Sequence, residues 1–140
     1  LKVHFLAPLI SVNNDDSKDS RDENDWSLAV ILSTQNGHVW AFGDAPKDLE
    51  MDIMELNPTL PTGGLLLVPH HGSDTSSSEE LLDGLKPDVA VVSHKRPLPN
   101  RVMERYRKRH IPMCGTSPGG TVHLRLRKGR IWIPMGCFVP

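Results

Sequence analysis

The chain has 140 residues, enough for one domain with a buried core, and its 16 basic and 17 acidic side chains nearly cancel. Taken over the whole chain, that balance gives no electrostatic case for a nucleic-acid or membrane surface. No apolar run approaches the roughly 18–20 residues that a membrane span requires, so neither a span nor a signal peptide is expected. Two cysteines, Cys114 and Cys137, stand far apart in no metal-like spacing. A disulfide scaffold is therefore not expected, and the reducing cytoplasm is the default location. The first residue is Leu1, inside a strand-like run rather than at an initiator Met, which reads as a fragment, a processed product or part of something longer.

In chain order, "LKVHFLAPLI" alternates and predicts a strand. The polar, acidic stretch Ser11–Asp25 that follows predicts a flexible surface loop. "WSLAVILST" and "HVWAFGD" are apolar runs joined by Gln35-Asn36-Gly37, and Asn-Gly between β-rich runs predicts a hairpin. "PKDLEMDIMELN" has Pro at its start and apolar residues Leu49, Ile53, Met54 and Leu56 at helical spacing. Beyond the breaker "NPTLPTGG", the uniformly apolar Leu65–Val68 predicts a strand buried on both faces. "SSSEELLDGLKP" carries Ser caps and early acids, then Gly and Pro, as a short helix would.

"DVAVVSH" predicts another buried strand and "NRVMERYRKRH" a basic helix whose charges read as a solvated face in preference to a nucleic-acid patch. "IPMCGT", "TVHLRLR" and "RIWIPMG" close the chain as short strands, with turns at Pro118-Gly119-Gly120 and Lys128-Gly129. The alternation of strands and helices predicts a layered α/β architecture with two antiparallel hairpins and no internal repeat.

In such folds functional groups gather at the carboxyl ends of the strands. Three predicted strands end in a candidate ligand or acid–base group: Gly43-Asp44, Pro69-His70-His71 and Ser93-His94. Parallel neighbours would bring these onto one rim. A carboxylate among imidazoles suits a divalent ion such as Zn or Mn. Each group also has a plainer use: Asp44 as a turn residue, His70 and His71 as loop residues, His94 as a hydrogen-bonded rim histidine. His4, His38, His110 and His123 have no convergent partner and take structural or solvent roles. The hydroxyl tract Thr75–Ser78 caps the following helix, although amides and hydroxyls there can also hold phosphate.

The combination is more specific than its parts. "NDWSLAVIL", "AFGDA", "LLLVPHHGSDTSSS" and "LKPDVAVVS" resemble, in order and spacing, the metallo-β-lactamase-fold domain of the ComEC competence proteins and their free-standing relatives. Those proteins carry N-D-x-S-L, T-G-D-A and H-H-G-S-x-x-S-S at corresponding points. The resemblance runs from about Leu1 to Gly136. It implies a four-layer αββα hydrolase with one or two metal ions that activate water, often against phosphodiester bonds.

By that resemblance Asp44 matches the metal-bridging aspartate. His70 or His71 matches the late histidine ligand or its catalytic neighbour, with His71 slightly preferred. His71 or His94 would steady the developing oxyanion or protonate the leaving group. Ser73 and Ser76 would contact substrate phosphate, and Asn24, Asp25 and Ser27 would shape the entry to the strand.

Two departures qualify the match. The family's main ligand cluster, H-x-H-x-D-H, is absent from this sequence. Residues 1–140 therefore read as the carboxyl half of the domain, with the amino half or a partner chain supplying the remaining ligands. The family's H-P-x-P loop reads His94-Lys95-Arg96-Pro97-Leu98-Pro99 here, so the histidine is displaced. The two readings are a hydrolase half acting on a nucleic acid or another phosphodiester, and a non-catalytic binding or assembly module on the same scaffold. A half-fold would also expose an apolar sheet face and an open edge, and so would associate with what covers them.

Overall fold

The computed structural model describes residues 1–7, 23–94, 97–116, 120–127, 130–132 and 137. Its strands are β1 (Lys2–Ala7), β2 (Ala29–Thr34), β3 (Gly37–Ala41), β4 (Leu65–Leu67), β5 (Val89–Val92), β6 (Met113–Gly115), β7 (Arg125–Arg127) and β8 (Arg130–Trp132). The helices are α1 (Lys47–Leu56), α2 (Glu79–Leu85) and α3 (Asn100–Lys108). Most of the acidic loop, residues 11–22, and the turn residues Pro118, Gly119, Lys128 and Gly129 lie outside the described residues.

β1 to β6 form one six-stranded mixed sheet in sequence order. β1–β2 and β2–β3 are antiparallel, and the second pair closes on a two-residue loop, with Thr34 opposite Gly37. This is the hairpin that Asn36-Gly37 predicts. β2 starts at Ala29 rather than at Trp26, because Glu23–Trp26 winds into a 3-10 turn.

From β3 to β6 every neighbour is parallel. Each crossover carries one helix, α1, α2 and α3 in turn. Parallel crossovers are right-handed, so a strand order that advances in one direction places every helix on the same face. That face holds the main core, in which Leu49 and Ile53 of α1, Leu81, Leu82 and Leu85 of α2, and Val102 and Tyr106 of α3 pack on Trp40, Leu66, Ala90, Val92 and Met113. α2 begins as predicted: Ser78 Oγ accepts from the Leu81 amide at 3.1 Å, and Glu79 and Glu80 fill the first turn. It ends not on Gly84 but on Lys86 in the left-handed region, whose amide bonds the Leu82 carbonyl.

Among the described residues the other sheet face is covered only in part. Leu65, Val89 and Cys114 form a second cluster there, with Val122, Leu124, Ile131 and Cys137 folded over it. β7 and β8 pair antiparallel as a separate ribbon. Towards β1 the same face is open: Val3 opposite Leu32 and Phe5 opposite Val30 extend the row, with Phe5 72 % exposed. Leu67, expected to be buried, is exposed as well.

One expectation is overturned. Cys114 and Cys137 are joined in a disulfide with Cα atoms 4.3 Å apart. The separation of 23 residues conceals the pairing in the sequence, because the chain leaves β6 and returns across the same sheet face. Closing a loop of that length stabilises a fold by about 3 kcal/mol. Disulfides persist mainly in oxidising compartments, so the cysteine pattern no longer supports a reducing cytoplasm.

Candidate functional site

The parallel order of β3, β4 and β5 carries the three predicted strand ends to one rim. Asp44 follows β3, His70 and His71 follow β4, and Ser93 and His94 follow β5. The loops are stitched together through the backbone. The His70 amide donates to the Gly43 carbonyl at 2.9 Å, and the Lys47 amide donates to the Thr75 carbonyl at 2.9 Å. Ser27 and Leu28 back the Asp44 turn, since a Cβ on Gly43 would lie 3.3 Å from the Leu28 carbonyl and 3.5 Å from Ser27 Cβ. The Asn24 carbonyl accepts from the Ser27 amide at 3.1 Å, closing the turn that enters β2.

The histidine loop is conformationally unusual. His70 (φ 48°), His71 (φ 52°) and Gly72 (φ 80°) are consecutive residues in the left-handed region. A non-glycine residue there costs about 1–2 kcal/mol, and two in succession persist only when their surroundings hold them. The strain turns the two imidazoles apart. His71 Nδ1 lies 2.9 Å from the Ser93 carbonyl, which can only accept, so this nitrogen carries the proton. The other ring nitrogen, Nε2, lies 3.8 Å from Asp44 Oδ1. A carbonyl that fixes one ring nitrogen and frees the other is the usual support of a metal-binding histidine. His70 instead turns Nδ1 towards Thr75 Oγ1 at 3.5 Å.

The remaining predicted residues divide. Ser73 Oγ sits on the exposed loop, 3.0 Å from Thr75 Oγ1. Ser76 is fully buried, and its hydroxyl lies 2.9 Å from both the Pro69 and Ser73 carbonyls. It closes the loop from inside, so the expected phosphate contact at Ser76 is replaced by a structural one. His94 is half-buried at the end of β5. Among the described residues, no three His, Cys, Asp or Glu side chains come together as a metal site. Asp44 and His71 thus offer two donors.

The sequence reading missed what holds this loop. Glu50 of α1, buried completely, accepts from the Ser77 amide at 2.8 Å and the Ser78 amide at 2.6 Å. Burial pushes its carboxyl above the ordinary range, while the Ser78 and Ser77 hydrogen bonds draw it back. Tyr106 Oη meets Ser77 Oγ at 2.9 Å, and burial drives the phenol well above its usual value. Arg105 donates to the Ser76 carbonyl at 2.7 Å and pairs with Asp74, which Arg101 also engages. A signal existed: Glu50 stands three residues before Ile53, on the stripe of α1 that faces the core.

The geometry defines an α/β domain whose strand-end rim presents a carboxylate and an oriented imidazole. Comparison with known proteins adds relatives. The chain is 29 % identical over 133 residues to ComE operon protein 3 of Bacillus subtilis (strain 168), covering 91 % of this chain and 16 % of that protein. It is 32 % identical over 119 residues to Recombination protein 2 of Haemophilus influenzae, covering 81 % of this chain and 15 % of that protein. No protein-family model matches. The chain spans about a sixth of the length of each of these two relatives.

Proposed function

We propose that this chain is the carboxyl half of a four-layer metallo-β-lactamase-type domain, and that the completed domain hydrolyses phosphodiester bonds of nucleic acid. The observation that carries the reading is the strained His70-His71-Gly72 turn, which aims His71 Nε2 at Asp44 while the Ser93 carbonyl fixes its tautomer. Strain of this kind gathers where a backbone is held for a purpose. The names of the two relatives, a ComE operon protein and a recombination protein, agree with a nucleic-acid substrate.

In this reading Asp44 and His71 hold a divalent ion, Zn or Mn, and two ions share the site once the ligands of the other half are in place. A metal there supplies hydroxide at neutral pH and a Lewis acid for the phosphoryl oxygen. His94 stands at the neighbouring strand end, where it can protonate a leaving group. Ser73 is the exposed hydroxyl of the turn and contacts phosphate. The missing half packs on the open sheet face that carries Val3, Phe5, Val30 and Leu32, and its sheet becomes the fourth layer's support.

A binding or assembly module on the same scaffold is favoured by one observation, the absence of a three-ligand metal group among the described residues. Hydrolysis of a labelled single-stranded oligonucleotide by the native assembly separates the two. The hydrolase reading expects Asp44→Ala to lower the rate by at least about a hundredfold. An unchanged rate, or no hydrolysis by the wild-type assembly with Zn or Mn added, overturns it in favour of the binding module.

A further inference from the structure

The near-neutral total charge conceals a segregation. Glu104 is the last acidic residue of the chain, and Arg105, Arg107, Lys108, Arg109, Arg125, Arg127, Lys128 and Arg130 all follow it. Around α3 most of this charge is neutralised: Arg101 and Arg105 pair with Asp74, Arg107 with Glu104, and Arg109 with Glu79 and Asp83. The β7–β8 ribbon differs. Arg125 and Arg127 are exposed, and among the described residues neither has an ion-pair partner. Across the ribbon, Arg130 stands at the register position opposite Arg127 and Trp132 at that opposite Arg125.

The alternation of the strand gives this charge its direction. Val122, Leu124 and Leu126 are half-buried, and Val122 and Leu124 pack on the sheet, while His123, Arg125 and Arg127 are exposed between them. Arg125 and Arg127 therefore project from one face at a spacing of roughly 7 Å. Successive phosphates of an extended single strand are six backbone bonds and roughly 6–7 Å apart, so the two guanidinium groups match neighbouring phosphates. Guanidinium forks bind phosphate oxygens in pairs, with charge on both sides.

We infer that the outer face of the β7–β8 ribbon is a binding surface for the phosphate backbone of single-stranded nucleic acid, with Arg125 and Arg127 as its contacts. An anionic membrane is held by several apolar side chains set among the cations, whereas Val122, Leu124 and Leu126 turn inward and the register places a single apolar residue, Trp132, on the arginine face. An acidic polypeptide matches the strand only where it is extended with carboxylates at alternate positions, whereas a nucleic-acid backbone carries a charge at every repeat. The surface is separate from the rim: Leu126 abuts Gly37, at the end of β3 remote from Asp44. The occupant rests on the nucleic-acid reading above, but none of the hydrolytic chemistry is needed.

The test is fluorescence anisotropy of a labelled oligothymidine of about 20 nucleotides with the native assembly in chelator, so that binding is read without cleavage. Replacing both arginines, Arg125→Gln with Arg127→Gln, is expected to weaken binding about tenfold and to lower the salt slope by about 1.4, the value for two phosphate contacts on a single strand. Arg125→Lys with Arg127→Lys keeps affinity within about threefold, because charge carries most of the contact. Arg107→Gln, at a cation of α3 already paired with Glu104, leaves binding unchanged, and because the assay is run in chelator a failure at the ribbon is read apart from any failure of hydrolysis at the rim. Melting curves verify that each variant is folded. Unchanged affinity in the Gln pair overturns the inference. So does an effect of that pair confined to phosphatidylserine vesicles or to polyglutamate.

Discussion

Replacement of Glu50 by Ala is expected to cost about 3–5 kcal/mol of folding stability. The variant leaves the amides of Ser77 and Ser78 without their acceptors in a fully buried place, and opens a void between α1 and the hydroxyl loop. Each orphaned amide costs about 1–3 kcal/mol, which exceeds what is recovered by no longer burying a carboxyl group. Glu50→Gln preserves the shape and still costs about 1–3 kcal/mol, because its NH2 faces one of the two donors. The shift of the denaturation midpoint at constant slope measures both.

The pH dependence has a definite sign. The folded-state pKa of Glu50 lies above its unfolded value, so the native state binds this proton more tightly. Its contribution to stability is greatest below the ordinary carboxylate pKa and is lost as pH rises through the raised one. Glu50→Gln removes that slope. A Glu50→Ala cost below about 1 kcal/mol would mean that the loop satisfies its amides by other means.

Gly64→Ala is the second large effect, expected at about 3 kcal/mol or more. Gly64 has φ 84°, and a Cβ there would stand 2.5 Å from the His38 carbonyl oxygen. The obstacle is backbone of the adjacent strand and cannot swing aside. Its carbonyl also accepts from the amides of Asp88 and Val89, and its own amide donates to Asp88 Oδ2 at 2.7 Å. One residue thus sets the entry of β4 between β3 and β5, and with it the approach of the His70–His71 turn to Asp44. Thermal unfolding reads the loss directly. A melting temperature unchanged from the wild type would show that the entry can be rebuilt.

Much of this fold is legible in the residues. The apolar runs of β4 and β5, the Asn36-Gly37 turn, the Ser78 cap and the helical spacing of α1 each follow from local chemistry. Parallel strands follow from alternation with helices, and parallel strands put the ends that carry Asp44, His71 and His94 on one rim. The Cys114–Cys137 bond and the Glu50–Ser77–Tyr106 network were not legible, because both join residues that only the tertiary fold brings together. Ser76 shows the same limit in reverse. A hydroxyl beside a helix start suits a phosphate equally well on paper, and only burial reveals that backbone carbonyls have taken it.

The choice between the paired histidines was equally beyond the sequence. Both stand in the left-handed region, and the Ser93 carbonyl distinguishes them by holding His71 Nδ1 and releasing Nε2 towards Asp44. That distinction is open to direct measurement through the metal content of the native assembly, by mass spectrometry, for the wild type and for the Asp44→Ala, His71→Ala and His70→Ala variants. Near-stoichiometric Zn or Mn is expected in the wild type, with a loss in the Asp44 and His71 variants and retention in the His70 variant. No bound metal in the wild type after reconstitution, or a loss on replacing His70 but not His71, would contradict this reading.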